Sequence, residues 1–252
     1  MLTLKGQTIL ITGASRGIGA ATANVALDAG ASIIGSFRTG AGILDELSAR
    51  YGSARVHCIK TDLAQPGAGR ALWQQALEQA DGAIHGLVNN AGIAPVTPLE
   101  ADNDTWQRDW TKVLAVNTRA VADLCREAVL YFRPRGGGRI VNVASRAAFR
   151  GDTADSLHYA ASKGAVVSLT RSIARAWAKE RILAFVIAPG WVRTDMASVI
   201  YEPGNEIALA EIPMGDAAPP EEVANMIVFL LSGKVDHATG ATFDINGASY
   251  VR

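Results

Sequence analysis

Apolar residues along this chain alternate between two rhythms. The run Thr8, Ile9, Leu10, Ile11, Thr12 is short, rich in β-branched residues and followed by glycines, the pattern of a strand buried on both faces. An alanine-rich stretch over 16–29 has helical character, Gly30 ends it, and a second apolar run occupies 31–37. Together they predict a strand, helix, strand unit of about thirty residues. The alternation recurs, with strands predicted at 56–61, 86–89, 139–143, 183–188 and 241–245 and helices between most of them. Such alternation implies a parallel sheet covered by helices on both faces and built through right-handed crossovers. The expected fold class is therefore α/β, a doubly wound parallel sheet of Rossmann type. Ligands on such sheets bind at the carboxyl ends of the strands, so the residues after each strand matter most.

Length and composition favour a single domain over 1–252. A chain of 252 residues with 49% hydrophobic residues can bury a large core without disulfides or metal. The loop Gly136, Gly137, Gly138 and the break Glu202, Pro203, Gly204, Asn205 are both too short to be domain linkers. Lys plus Arg and Asp plus Glu are 24 each, a net charge of zero, so no overall field draws nucleic acid or an anionic membrane. A small-molecule substrate is expected, with no nucleic-acid or membrane partner. Cys58 and Cys125 are too few for a disulfide framework. The opening Met1, Leu2, Thr3, Leu4, Lys5 does not have the order of a signal peptide, and no apolar run approaches 18 residues. A cytoplasmic protein is expected. His57, His85, His158 and His237 lack ligand spacing, so no metal site is expected.

Chemistry enters after the first strand. Gly13, Gly17 and Gly19, with Ser15, Arg16 and Ile18 between them, form a turn between a strand and a helix. Glycine there permits close approach of the backbone to a diphosphate, and the helix start supplies N–H groups and positive dipole. A second signal is Tyr159, Ala160, Ala161, Ser162, Lys163, with Ser145 just after the strand at 139–143. Residues four apart share a helix face, so Tyr159 and Lys163 can address one ligand. A nearby ammonium favours phenolate, and on this reading Lys163 lowers the Tyr159 pKa toward neutrality. Ser156, three residues before Tyr159, belongs to the helix entry, so Ser145 is the preferred serine. Trp106 and Trp110, four apart, are read as packing a helix face.

With these motifs the chain resembles the short-chain dehydrogenase/reductase family, whose members carry Thr-Gly-x-x-x-Gly-x-Gly at the first turn, and the resemblance spans nearly the whole chain. It implies that Asp62 and Leu63 touch an adenine ring and that Asn89, Asn90, Ala91 and Gly92 form a structural and cofactor-lining motif. It also implies that Pro189, Gly190, Val192 and Thr194 hold the nicotinamide end. The implied catalytic set is Asn117, Ser145, Tyr159 and Lys163. Tyr159 would exchange a proton with the carbonyl or alcohol oxygen, Ser145 would hydrogen-bond that oxygen, Lys163 would also bind the nicotinamide ribose, and Asn117 would hold a relay water. His85 departs from the family, which often has an acidic residue there.

The implied activity is an oxidoreductase interconverting a carbonyl and a secondary alcohol, similar to 3-oxoacyl-carrier-protein reductases. NADP(H) is the expected cofactor. No acidic residue occurs over 29–44, Phe37 takes the acid's place, and Arg38 and Arg16 supply guanidinium groups for a 2′-phosphate. The substrate pocket is placed at Ala94, Arg146, Phe149, Trp191 and 195–212. A mobile lid is expected near 197–213. A homo-oligomer, a tetramer or else a dimer, is expected through the helices predicted at 106–132 and 159–178. A sensor or scaffold of the same fold would need the glycine turn but not Tyr159. An epimerase or dehydratase would use the same tyrosine, usually with a longer carboxyl-terminal domain.

Overall fold

A computed structural model describes residues 2–80 and 83–252; Met1, Asp81 and Gly82 lie outside it. In chain order the elements are β1 (Thr8–Ile11), α1 (Gly17–Asp28), β2 (Ser32–Phe37), α2 (Ile43–Tyr51), β3 (Val56–Lys60), α3 (Ala68–Gln79), β4 (Gly86–Asn89) and α4 (Asn103–Leu114). There follow α5 (Ala120–Phe132), β5 (Gly138–Val143), α6 (Ala147–Arg150), α7 (Leu157–Trp177), β6 (Ile182–Pro189), α8 (Glu206–Ala210), α9 (Pro220–Leu231) and β7 (Thr242–Ile245). The strands form one parallel sheet in the order β3-β2-β1-β4-β5-β6-β7.

Side-chain alternation explains why the strands read as unbroken apolar runs. Leu10, Ile34, Leu87 and Ile140 point into a core beneath α3, α5 and α7, where Trp73 meets Phe132 edge-on at 6.0 Å. Ile9, Ile11, Ile33, Val88 and Val141 point the other way, toward Leu27, Leu44, Val223 and Ile227 on α1, α2 and α9. Both faces are buried, so both positions of each two-residue period must be apolar. The chain winds outward in both directions from β1 and β4. That reversal opens a crevice at their carboxyl ends.

Two elements differ from the sequence-based expectation. The helix expected over 106–132 starts at Asn103, where the Asp102 carboxylate accepts from Thr105 N at 2.8 Å, and a π-helical turn over Ala115–Arg119 interrupts it. The winding widens there because Asn117 turns inward to main-chain partners, which periodicity alone does not reveal. In the expected lid, a 3₁₀ segment (Asp195–Tyr201) and α8 stand in place of irregular loop.

Candidate active site

The glycine turn is locked against the end of β4. The Thr12 hydroxyl accepts from Asn90 N and Ala91 N, both at 3.0 Å, while Asn90 Nδ2 donates to Thr12 O at 2.9 Å and Gly13 O at 3.1 Å. A Cβ added at Gly19 would lie 2.1 Å from Gly13 O, and one at Gly13 3.0 Å from Ala91 Cα. Close packing, as much as backbone freedom, thus demands glycine here. No side chain caps α1 and no acid occupies its first turn, so the first N–H groups and the positive dipole end are free for an anion. Ser15 is held through its carbonyl, which accepts from Ile43 N at 3.2 Å. Ile18 is partly buried, and Arg16 is exposed and 3.5 Å from Asp195. Gly17 lies against Thr194, whose Cγ2 would be 3.0 Å from an added Cβ.

Arg38 is exposed just beyond β2. Beyond β3, the Asp62 carboxylate accepts from Ala64 N at 3.1 Å and Gln65 Nε2 at 3.3 Å. Those bonds, with smaller help from Arg38 and Lys112, hold it below the ordinary carboxylate range. Leu63 is buried beside it. On the other side of the crevice, Gly190 N donates to Ile245 O at 2.9 Å. A Cβ at Gly190 would come within 2.8 Å of Asn246 Cβ. Pro189 ends β6, Val192 is bridged to Ala218, and the Thr194 hydroxyl donates to Val192 O at 3.2 Å.

Between these two sides lie β5 and α7. The Ser145 hydroxyl, just past β5, accepts from Ala147 N at 3.1 Å. Tyr159 and Lys163 lie one turn apart near the start of α7, with Lys163 Nζ 5.7 Å from the Tyr159 ring centroid. Lys163 is 4% exposed. Its ammonium donates to Val143 O at 2.9 Å, and burial lowers its pKa to about 8. Gly92 lies directly over this amine, since an added Cβ would be 3.3 Å from Lys163 Nζ.

The structure corrects the expected sign at Tyr159. Burial raises the phenol's pKa, with the Ser145 hydroxyl pulling it down and Asp152 adding to the rise. Asn117 is tied down by its side-chain amide. Its Oδ1 accepts from Ile93 N at 2.9 Å, and its Nδ2 donates to Ile93 O at 2.9 Å and Ser162 Oγ at 3.1 Å. These bonds hold the chain after β4 against α7.

The Asn89 side chain turns into the core. Its Nδ2 donates to Asn142 Oδ1 at 2.8 Å, and Asn142 Nδ2 donates to Thr170 Oγ1 at 2.8 Å. This buried chain ties β4, β5 and α7 together. Ala91 and Gly92, past the strand end, remain on the crevice side. Of the residues expected to line a substrate pocket, Ala94 is exposed. Phe149 stacks on Tyr250 with centroids 6.5 Å apart, and Arg146 packs with its Cζ 5.9 Å from the Trp191 ring centroid.

A glycine turn with no room for side chains, an uncapped helix start, and a buried lysine facing a tyrosine fit a nicotinamide dinucleotide. The family model described as enoyl-(acyl carrier protein) reductase matches residues 13–248. The 3-oxoacyl-(acyl-carrier-protein) reductase of Vibrio harveyi is 31% identical, over 99% of this chain and 100% of its own. The chain belongs to the short-chain dehydrogenase/reductase family. A 3α-hydroxysteroid dehydrogenase of Mediterraneibacter gnavus is 32% identical over 98% of both chains. A blue fluorescent protein from a metagenomic library, crystallised with NADPH, superposes with TM-score 0.89 at 31% identity, covering 99% of this chain and 100% of that one.

This short-chain dehydrogenase/reductase is an NADP(H)-dependent oxidoreductase of alcohol and carbonyl groups. Its relatives act on a thioester and on a steroid at nearly equal identity, so overall likeness does not choose the substrate. Sequence reasoning named Thr12, Asn90 and Ser162 only as members of motifs, and it missed Asn142 and Thr170, which help position this member's site. Their signal is a polar residue at a position where the local pattern demands an apolar one. His85 is accounted for: its Nδ1 accepts from Thr8 N at 3.0 Å, so a neutral imidazole supplies the acceptor at the start of β1. His158 is a core histidine, with Nε2 2.9 Å from the Thr97 hydroxyl. Trp106 and Trp110 pack together with centroids 5.7 Å apart. Among the described residues no His, Cys, Asp or Glu cluster could hold a metal, and no helix is long and apolar enough to cross a membrane.

Proposed function

We propose that this enzyme interconverts a ketone and a secondary alcohol with Tyr159 as the acid/base group, Ser145 as the second hydrogen-bonding group on the reacting oxygen, and Lys163 as its electrostatic support. The observation that carries the reading is the placement of Tyr159 and Lys163 on one face of α7, beside Ser145 at the end of β5 and next to the glycine turn. When bound, the nicotinamide supplies or accepts the hydride at the substrate carbon. The chain's own residues handle the proton. A phenol raised above its ordinary pKa by burial stays protonated at neutral pH, the form needed to donate to a carbonyl oxygen. As negative charge develops on Tyr159, the Lys163 ammonium stabilises it, and a pKa of about 8 keeps most of that amine charged at pH 7. Asn117 acts as a positioning residue, fixing Ile93 and Ser162 relative to Tyr159, whose carbonyl accepts from Ser162 Oγ at 2.7 Å.

The cofactor contacts in this reading are those at Gly13, Ser15, Arg16, Gly17, Ile18, Gly19, Arg38, Asp62, Leu63, Ala91, Gly92, Tyr159, Lys163, Pro189, Gly190, Val192 and Thr194, with Asn89 in a supporting role. The segment 197–213 closes over the substrate. A homo-oligomer, tetrameric or dimeric, is part of the reading, supported by the exposed Leu130 on α5 and Leu157 on α7; light scattering at micromolar concentration tests it. A cytoplasmic location is supported by the two free thiols, Cys58 and Cys125. A panel of ketones and secondary alcohols followed by NADPH absorbance tests the central claim, which predicts turnover of at least one ketone and its reversal with NADP⁺.

A further inference from the structure

Arg146 directly follows Ser145, yet its side chain is 5% exposed. Its Nη1 is buried with no hydrogen-bond partner among the described residues. A buried guanidinium with an unspent donor is costly unless another group takes it. Its nearest carboxylate belongs to Glu211, in the segment between β6 and α9, at 3.8 Å from Nη2, which is beyond hydrogen-bonding reach. The same Glu211 oxygen lies 3.2 Å from Arg150 Nη1. Two arginines, one of them buried, therefore converge on a single half-exposed carboxylate that reaches in from the edge of the site. Arg146 Cζ lies 5.9 Å from the ring centroid of Trp191, two residues past Pro189, so the cluster sits at the carboxyl ends of β5 and β6, beside the candidate active site.

We propose that the substrate carries a carboxylate a few bonds from its reacting carbon, and that Arg146, supported by Arg150, binds it in place of Glu211. The inference rests on the ketone–alcohol reading above and names its substrate class. Arg146 can offer two parallel N–H groups to a planar carboxylate. Glu211, the side chain already beside the pair, is itself a carboxylate. With Glu211 withdrawn, Arg146 and Arg150 outweigh Asp152 and the pocket is cationic. The Trp191 ring packs against the guanidinium, whose side chain is 5% exposed, and burial strengthens a charge-assisted bond. Ser145 and Arg146 are chain neighbours, with Cα atoms about 3.8 Å apart, which keeps the anion site within one substrate's length of the reacting carbonyl.

The test uses the enzyme with NADPH and matched pairs: 3-oxobutanoate, 4-oxopentanoate and 5-oxohexanoate, each against its methyl ester. At one chain length at least, kcat/KM for the acid is expected to exceed that for the ester by about ten-fold or more. Arg146→Met should bring that ratio close to one. Glu211→Gln, at a half-exposed position that tolerates change, should lower the KM of the same acid. Equal use of acid and ester at every length, or a ratio preserved in Arg146→Met, overturns the proposal. If Arg146→Met fails to fold, an unchanged acid KM in Glu211→Gln overturns it. If no ketone of any kind turns over, the ketone–alcohol reading itself has failed. Calorimetric binding of the same acids to the NADPH complex then decides the anion site separately: saturable binding abolished by Arg146→Met supports it, and no binding overturns it.

Discussion

The glycine turn and the segment 193–216 touch across the crevice, at Gly17 against Thr194 and Arg16 beside Asp195, yet different forces hold them. The turn is fixed by short hydrogen bonds to β4 and by backbone approaches that leave no room for a single methyl group. The second segment has Ala197, Ile200 and Ile212 as buried anchors, while Met196, Val199, Tyr201, Ile207 and Met214 are exposed. Its polar attachments lie at the surface, as with Arg193 at 3.3 Å from Asp216 and Arg150 at 3.2 Å from Glu211. Exposed ion pairs contribute only about 0–1 kcal/mol each and weaken with salt. One side of the site is therefore built before ligand arrives. The other is held by a few buried side chains and by surface ion pairs.

The largest effect expected separates chemistry from both regions. Tyr159→Phe keeps the ring and its packing but removes the transferable proton, so turnover should fall by about 10² to 10⁴ while NADPH affinity stays close to wild type. A variant keeping more than about a tenth of wild-type activity on a verified ketone would displace Tyr159 from its role.

Next comes the buried amine on the prebuilt side. Because burial depresses the Lys163 pKa from 10.5 to about 8, the unfolded chain binds this proton more tightly than the folded one. Stability from this group is therefore present above about pH 10.5 and lost as pH falls through about 8. Relative to Lys163→Met, which does not titrate, wild type should gain up to about 3 kcal/mol between pH 8 and pH 10.5 in urea unfolding. A flat difference over that interval would show that the ammonium carries no burial cost.

On the same side, replacing Phe37 by Asp and Arg38 by Gln should move the cofactor preference toward NADH. Loss of a charge-assisted contact, with a carboxylate beside the ribose, should change the NADPH to NADH ratio of kcat/KM by about ten-fold or more. An unchanged ratio would take Arg38 out of phosphate recognition.

The smallest effect concerns the contrast itself. Hydrogen exchange over 197–213 should be fast in the free enzyme and should slow substantially when NADPH and a substrate acid are added. Equal protection of 197–213 with and without ligand would end its description as a lid.

Much of the architecture was legible because strand and helix signals are local. The strand expected over 86–89 matches β4, and the one over 139–143 is β5 without Gly138. The motif around Tyr159 was readable for the same reason, since one helical turn suffices to bring Tyr159 and Lys163 to one face. Asn117 was located but its employment was not, because Ile93, its main partner, lies 24 positions earlier in the chain. Asn89 was assigned to the crevice, yet a partner on a neighbouring strand, Asn142, turns it into the core.

The sequence by itself determined the parallel α/β sheet, the glycine turn, the Tyr159 and Lys163 pair and the absence of an acid beyond β2. Each depends on residue type and spacing within a few turns of chain. Only the tertiary structure decided the direction of the Tyr159 pKa shift, the committed amide of Asn117, the acceptor role of His85 and the burial of Arg146. Those properties depend on which distant groups exclude water and which offer a partner. Desolvation and long-range hydrogen bonding arise when the sheet closes under its helices, and no local pattern contains them.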